Sequence, residues 1–161
     1  MKSVSIIPIS VKPDRHAIGN EGEKEVIARV PCIVCGAPYV QLPTHYPLYD
    51  LVCADCGEMI QVKTINPKGR GISVRTRSSY GGGWKVLKKL LDAGRPVPPL
   101  IVNFKWTLKD GTPRQEMRLY LRIPVSTLRI YALKDDHKQR GYLMYRYREL
   151  DILPYTVLYE N

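Results

Sequence analysis

Acidic side chains are in short supply in this sequence: fifteen Asp and Glu face twenty-five Lys and Arg, leaving a net charge of +10. A surplus of that size on a small chain favours a polyanionic partner, nucleic acid ahead of a lipid surface. The plain alternative is a basic composition inherited from a host lineage. Long apolar runs are missing, and nothing approaches the roughly 18 consecutive residues that a membrane span requires. The opening "MKSVSIIPISVKPDRH" places one lysine before a short apolar stretch broken by Pro8 and Pro13, which is not the pattern of a secretion signal. A soluble, cytoplasmic protein with reduced thiols is therefore expected. Low-complexity tracts and internal repeats are also lacking. Phenylalanine occurs once, so base-stacking signals are thin, although eleven tyrosines leave an RNA-processing role open. At 161 residues and 44% hydrophobic content, the chain fits one domain with a single core.

Cysteine is scarce but organised. All four cysteines fall in two matched units, Cys32-x-x-Cys35-Gly and Cys53-x-x-Cys56-Gly, with seventeen residues between them. That spacing is usual for a four-cysteine zinc ribbon, and the glycine after each second sulfur suits a turn that aims backbone N–H groups at thiolates. An iron–sulfur cluster uses similar ligands. Disulfides and inert core thiols are the remaining alternatives. Four sulfur ligands would fill a Zn²⁺ tetrahedron and leave no position for water, so the role expected of this metal is structural. His45 and His137 each stand alone and read as ordinary surface or core residues.

The segment "GNEGEKEVIARV" predicts a first helix, with Glu23 on the stripe of Val26, Ile27 and Val30, and Glu25 off it. "YDLVC" and "MIQVKTI" predict two short strands joined by "ADCGE". Alternation puts Met59, Gln61, Lys63 and Ile65 on one face of the second strand, and Ile60, Val62 and Thr64 on the other. "GISVRTRSS" is expected to extend the sheet. A helix is expected after the glycine-rich "YGGG", with Leu87, Leu90 and Leu91 on its apolar side and Lys85, Lys88 and Lys89 on its polar side. "LIVNFKW" leads through the turn "LKDGTPRQ" into a hairpin partner "EMRLYLRI", and "PVSTL" predicts a short helical turn. An α/β fold, a mixed sheet flanked by helices, is the expected packing.

Asp50 on one strand and Gln61 on the next can aim oxygens at a common Mg²⁺ or Mn²⁺, with Glu23 approaching from the helix. Lys63 shares the face of Gln61 and suits positioning of a water or stabilisation of developing charge. Taken alone, the set reads equally well as an edge-strand ion pair beside a solvated glutamine. In context, the run "GNEGEKEVIARV … YDLVC … MIQVKTI … GISVRTRSS" resembles the PD-(D/E)xK nuclease superfamily. It is most similar to archaeal Holliday-junction resolvases and to the homing endonucleases of that superfamily. The resemblance covers roughly residues 19 to 80. It implies a restriction-endonuclease-like core, with Glu23, Asp50, Gln61 and Lys63 as the catalytic set, into which the zinc ribbon is read as an insertion. It further implies Mg²⁺- or Mn²⁺-dependent cleavage of double-stranded or branched DNA, 5′-phosphate and 3′-hydroxyl ends, and a homodimer. Gln61 departs from the usual Asp or Glu, which weakens the draw on a hard cation. The cysteine knuckles are a second departure. Glu25 is the competing helix acid. Arg70, Arg75 and Arg77, with Lys85, Lys88 and Lys89, are the expected DNA-facing cations. A zinc-stabilised DNA-binding protein without cleavage is the rival reading.

Overall fold

The computed structural model of the chain describes residues 15–66, 78–81, 84–131, 142–146, 150 and 152–161. Its elements run α1 (Arg15–Arg29), β1 (Tyr39–Gln41), β2 (Leu51–Cys53), β3 (Met59–Ile65), β4 (Ser78–Gly81) and α2 (Trp84–Asp92), then β5 (Leu100–Thr107), β6 (Pro113–Tyr120), a 3-10 turn (Val125–Thr127), β7 (Leu128–Tyr131), β8 (Tyr142–Arg146) and β9 (Thr156–Glu160). Six strands form a mixed sheet in the order β1-β2-β3-β5-β6-β9, and a smaller sheet has the order β4-β8-β7.

Strand β5 lies at the centre because it is apolar on both faces. Its Leu100, Val102 and Phe104 join Leu87 of α2 in one core, while Ile101 joins Val26 and Val30 of α1 in the other. The sheet is thus sandwiched between the two helices. The alternation expected of β3 holds: Ile60 and Val62 belong to the α1 side and Ile65 to the α2 side. β3 pairs parallel with β5, Lys63 opposite Val102 and Thr64 opposite Asn103.

Helix α1 starts earlier than the sequence pattern suggests and sits very close to β3. A Cβ added to Gly22 would stand 1.8 Å from Thr64 Oγ1 and 2.9 Å from Thr64 Cβ, so glycine is what permits this approach. The covered Thr64 hydroxyl has no hydrogen-bond partner among the described residues.

A polar network fixes the other half of the helix. Glu25 accepts bonds from Lys105 Nζ at 2.6 Å and from Asn103 Nδ2 and Gln115 Nε2, both at 2.9 Å. Gln115 Nε2 also donates to Asn103 Oδ1 at 2.9 Å, and its backbone N–H donates to Asn161 Oδ1 at 2.7 Å. Fully buried Asn103 is thereby satisfied inside an otherwise apolar layer.

The 3-10 turn lies where the sequence places it, and the hairpin forms with a tighter turn than expected, β6 starting at Pro113 and ending at Tyr120. One strand assignment differs. The described end of "GISVRTRSS" continues as β4 and pairs with β8, so it enters the small sheet rather than extending the large one.

Candidate functional site

The two knuckles are built alike. In each, the glycine N–H donates to the carbonyl of the first cysteine, Gly36 to Cys32 at 2.9 Å and Gly57 to Cys53 at 3.2 Å. Both glycines have positive φ, 79° and 74°, a conformation that a side chain disfavours. β1 and β2 hold the knuckles together, with Tyr39 opposite Cys53. The four cysteines are free, and their sulfurs all lie within 4.8 Å of one another. Cys35 and Cys53 sulfurs are 3.4 Å apart, and those of Cys32 and Cys56 are 3.6 Å apart. A tetrahedron with bonds of about 2.3 Å has edges near ~3.8 Å, so the cluster is already shaped for one ion.

Crowding of the four sulfurs pulls their proton affinities apart. Burial pushes the Cys32 thiol up, but the N–H groups of Cys35 and Val34 and the neighbouring thiols outweigh it and bring it to about 6. Cys56 goes the other way, to about 12, because the bond from the Glu58 N–H is outweighed by burial and the surrounding sulfurs. Four adjacent thiolates need a positive charge among them, and an all-sulfur set suits Zn²⁺. Among the described residues this is the group of Cys, His and acidic side chains assembled tightly enough for a metal ion.

A second feature lies beside the knuckles. β2 pairs with β3 only at Leu51–Ile60 and Val52–Met59, which, among the described residues, leaves the outer edge of β3 without a strand beyond Ile60. Asp50 covers that edge with its side chain, Oδ2 accepting the Val62 N–H at 2.7 Å. Here a cavity of about 560 Å³ opens, and Glu23, Asp50, Gln61 and Lys63 all line it, together with Gln41 and His45. The four expected site residues therefore come from α1, the entry to β2, and β3, and the fold brings them to one place.

Within the cavity, burial pushes the Asp50 carboxyl above its ordinary range, and Lys63 and the Val62 N–H offset part of the effect. Glu23 is also raised, first by burial and then by the Asp50 charge, against the opposing pull of Gln41 and Lys63. Gln61 is almost wholly buried and donates its backbone N–H to the Pro99 carbonyl at 3.1 Å. Two carboxylates, a carboxamide and an ammonium group thus line one cavity.

Glu25 lies outside this arrangement. Burial raises its carboxyl, but the bonds from Lys105 and Asn103 more than compensate and hold it below the ordinary range. It is a structural anchor, and Glu23 is the helix acid at the cavity.

Sequence reasoning passed over Gln41, which donates to Glu23 Oε2 at 2.5 Å and to Asn20 Oδ1 at 2.6 Å. It also set aside His45, which lines the cavity and has a positive φ of 67°. No local sequence pattern marks either residue, since Gln41 acts on a partner 18 positions away and His45 stands out only by its backbone conformation.

Of the expected DNA-facing cations, Arg70, Arg75 and Arg77 lie outside the described residues. Lys85 falls in α2, and its side chain lies outside the described residues. Lys88 and Lys89 are exposed on that helix, and Lys88 is partly neutralised by Asp92 at 2.6 Å. No described helix is long and apolar enough to cross a membrane.

No family model matches the sequence, and no curated protein matches it. The fold and site define a mixed β-sheet flanked by helices, carrying a four-cysteine cluster able to hold a metal ion.

Proposed function

We propose that this chain is a zinc-stabilised DNA-binding protein whose cavity at the edge of β3 hydrolyses phosphodiester bonds with the help of Mg²⁺ or Mn²⁺. The DNA-binding part rests on the four-cysteine cluster and on the +10 charge. The observation that carries the hydrolytic part is the presence of Glu23, Asp50, Gln61 and Lys63 on one cavity. That grouping is in keeping with a restriction-endonuclease-like core, and a domain of this size that cuts both strands works as a homodimer.

A divalent cation, when bound, supplies a Lewis acid for the charge that builds on the phosphate oxygens. Asp50 and Glu23 offer carboxylate oxygens to it, and Gln61 a neutral amide oxygen. Asp50 Oδ2 is engaged by the Val62 N–H, so Oδ1 is the oxygen that would be offered to a cation. Lys63 holds the attacking water or stabilises the negative charge that develops at phosphorus. The four-cysteine metal has no chemical part; it braces β1 and β2.

Binding without cleavage is the second reading, and it asks for less. It is favoured by Gln61, whose neutral side chain leaves the cavity with two carboxylates. A panel of four-way junction, linear duplex, nicked duplex and single-stranded DNA, incubated with Mg²⁺, Mn²⁺ or EDTA, separates the two. Cleavage that requires the cation and disappears in Asp50→Ala supports hydrolysis. Binding with no cleavage under any condition leaves the DNA-binding module.

A further inference from the structure

β1 is only three residues long, yet its end touches both carboxylate-bearing segments of the cavity. The Leu42 N–H donates to the Asp50 carbonyl at 2.9 Å, and the Gln41 side chain donates to Glu23 Oε2 at 2.5 Å. The other Gln41 N–H goes to Asn20 Oδ1 at 2.6 Å, so both amide hydrogens are spent on α1. At its opposite end the strand is held by the cysteine knuckle. Tyr39 is buried, its hydroxyl accepts the Ile33 N–H at 3.2 Å, and it lies opposite Cys53.

We propose that Gln41 is a positioning residue for a divalent cation in the cavity, holding Glu23 in one rotamer beside the cavity that it and Asp50 both line. This rests on the cation-dependent reading given above. A glutamate on the surface of a helix samples several rotamers, and fixing one before a ligand arrives removes an ordering cost from binding. Glu23 also feels the Asp50 charge, which by itself drives the two carboxylates apart. The Gln41 amide opposes that drift by donating to the charged carboxylate. Because Gln41 is exposed and not part of either core, its loss leaves the packing of the sheet in place. The arrangement gives β1 two tasks, with one end closing the cysteine cluster and the other setting the cavity acid.

The test is a double-mutant cycle read by Mn²⁺ binding to the full zinc-loaded chain, without nucleic acid. Free Mn²⁺ is followed by electron paramagnetic resonance in wild type, Gln41→Ala, Glu23→Gln and the double variant. Gln41→Ala should weaken binding by about tenfold, the scale of a lost group behind a ligand. In the Glu23→Gln background the same substitution should change affinity less than about twofold. Gln41→Met, similar in length but without the donor, should match Gln41→Ala and guards against a defect in β1. Equal losses in both backgrounds would make Gln41 a scaffold residue and overturn the proposal. Unchanged affinity in both Gln41 variants would overturn it as well. If wild type itself binds no Mn²⁺, the cation reading of the cavity fails and the positioning role falls with it.

Discussion

Asp50 Oδ2 accepts the Val62 N–H at 2.7 Å, so a carboxylate takes the place of a missing strand on the outer edge of β3. The side chain therefore ties down the backbone of β3 while lining the cavity. Asp50→Asn keeps an acceptor for Val62 while removing the charge. We expect cation-dependent DNA cleavage to fall on the order of 100-fold or more in this variant, with the fold retained. Cleavage rates beside circular dichroism test this, and activity near wild type would remove Asp50 from the ligand set.

The same substitution should raise stability in a pH-dependent manner. Burial raises the Asp50 carboxyl above its ordinary 3.8 and Glu23 above its ordinary 4.5. A carboxyl whose folded pKa is higher holds its proton more tightly in the folded chain, so stability falls as pH climbs from the unfolded to the folded value. The Tm advantage of Asp50→Asn over wild type should be absent below the ordinary 3.8, grow upward from there, and level off once folded Asp50 is ionised. Glu23→Gln should show a smaller version, since that side chain is only half-buried. A constant Tm difference across the series would contradict this account.

Glu23 and Glu25 should separate cleanly despite being two residues apart. Glu25→Ala leaves Asn103 and Gln115 short of an acceptor and should cost about 1–2 kcal/mol, after allowing for the partial exposure of Lys105. Glu23→Ala should cost nothing in stability and lower cleavage. Urea melts paired with activity assays decide this, and reversed effects would exchange the two roles.

Zinc removal should act on the fold before it acts on function. A chelator that strips the cysteine cluster should remove a large part of the folding free energy and lower Tm by at least about 10 °C. Metal analysis should find one zinc per chain, as four sulfurs within 4.8 Å imply. An unchanged melting transition after chelation, with no bound zinc to begin with, would argue against the structural ion.

The parts of the molecule visible in its sequence are those governed by local pattern. Alternation in "MIQVKTI" places Gln61 and Lys63 on one face, and the repeated CxxCG marks both knuckles. "KDG" marks the turn between β5 and β6, where Gly111 has a φ of 87°. What escapes the pattern depends on distant partners. The tie between Glu25 and Gln115 spans 90 positions, and that between Glu23 and Gln41 spans 18. β9 carries no clean alternation because it is an edge strand with most of its side chains in water. The two carboxylates of α1 look alike as letters, and only the strands beneath them assign one to the scaffold and the other to the cavity.

The contact between Gly22 and Thr64 has a bearing on how this chain can vary. With 1.8 Å between a would-be Cβ and the threonine hydroxyl, the two positions share a single allotment of volume. Gly22→Ala on its own forces α1 off β3 and carries Glu23 with it, whereas the same change made alongside Thr64→Gly finds room. Positions 22 and 64 should therefore drift together among descendants of this sequence, enlargement at one answered by reduction at the other. A survey of functional variants from a randomised library of the two sites would display that trade as a diagonal, with the large–large corner empty.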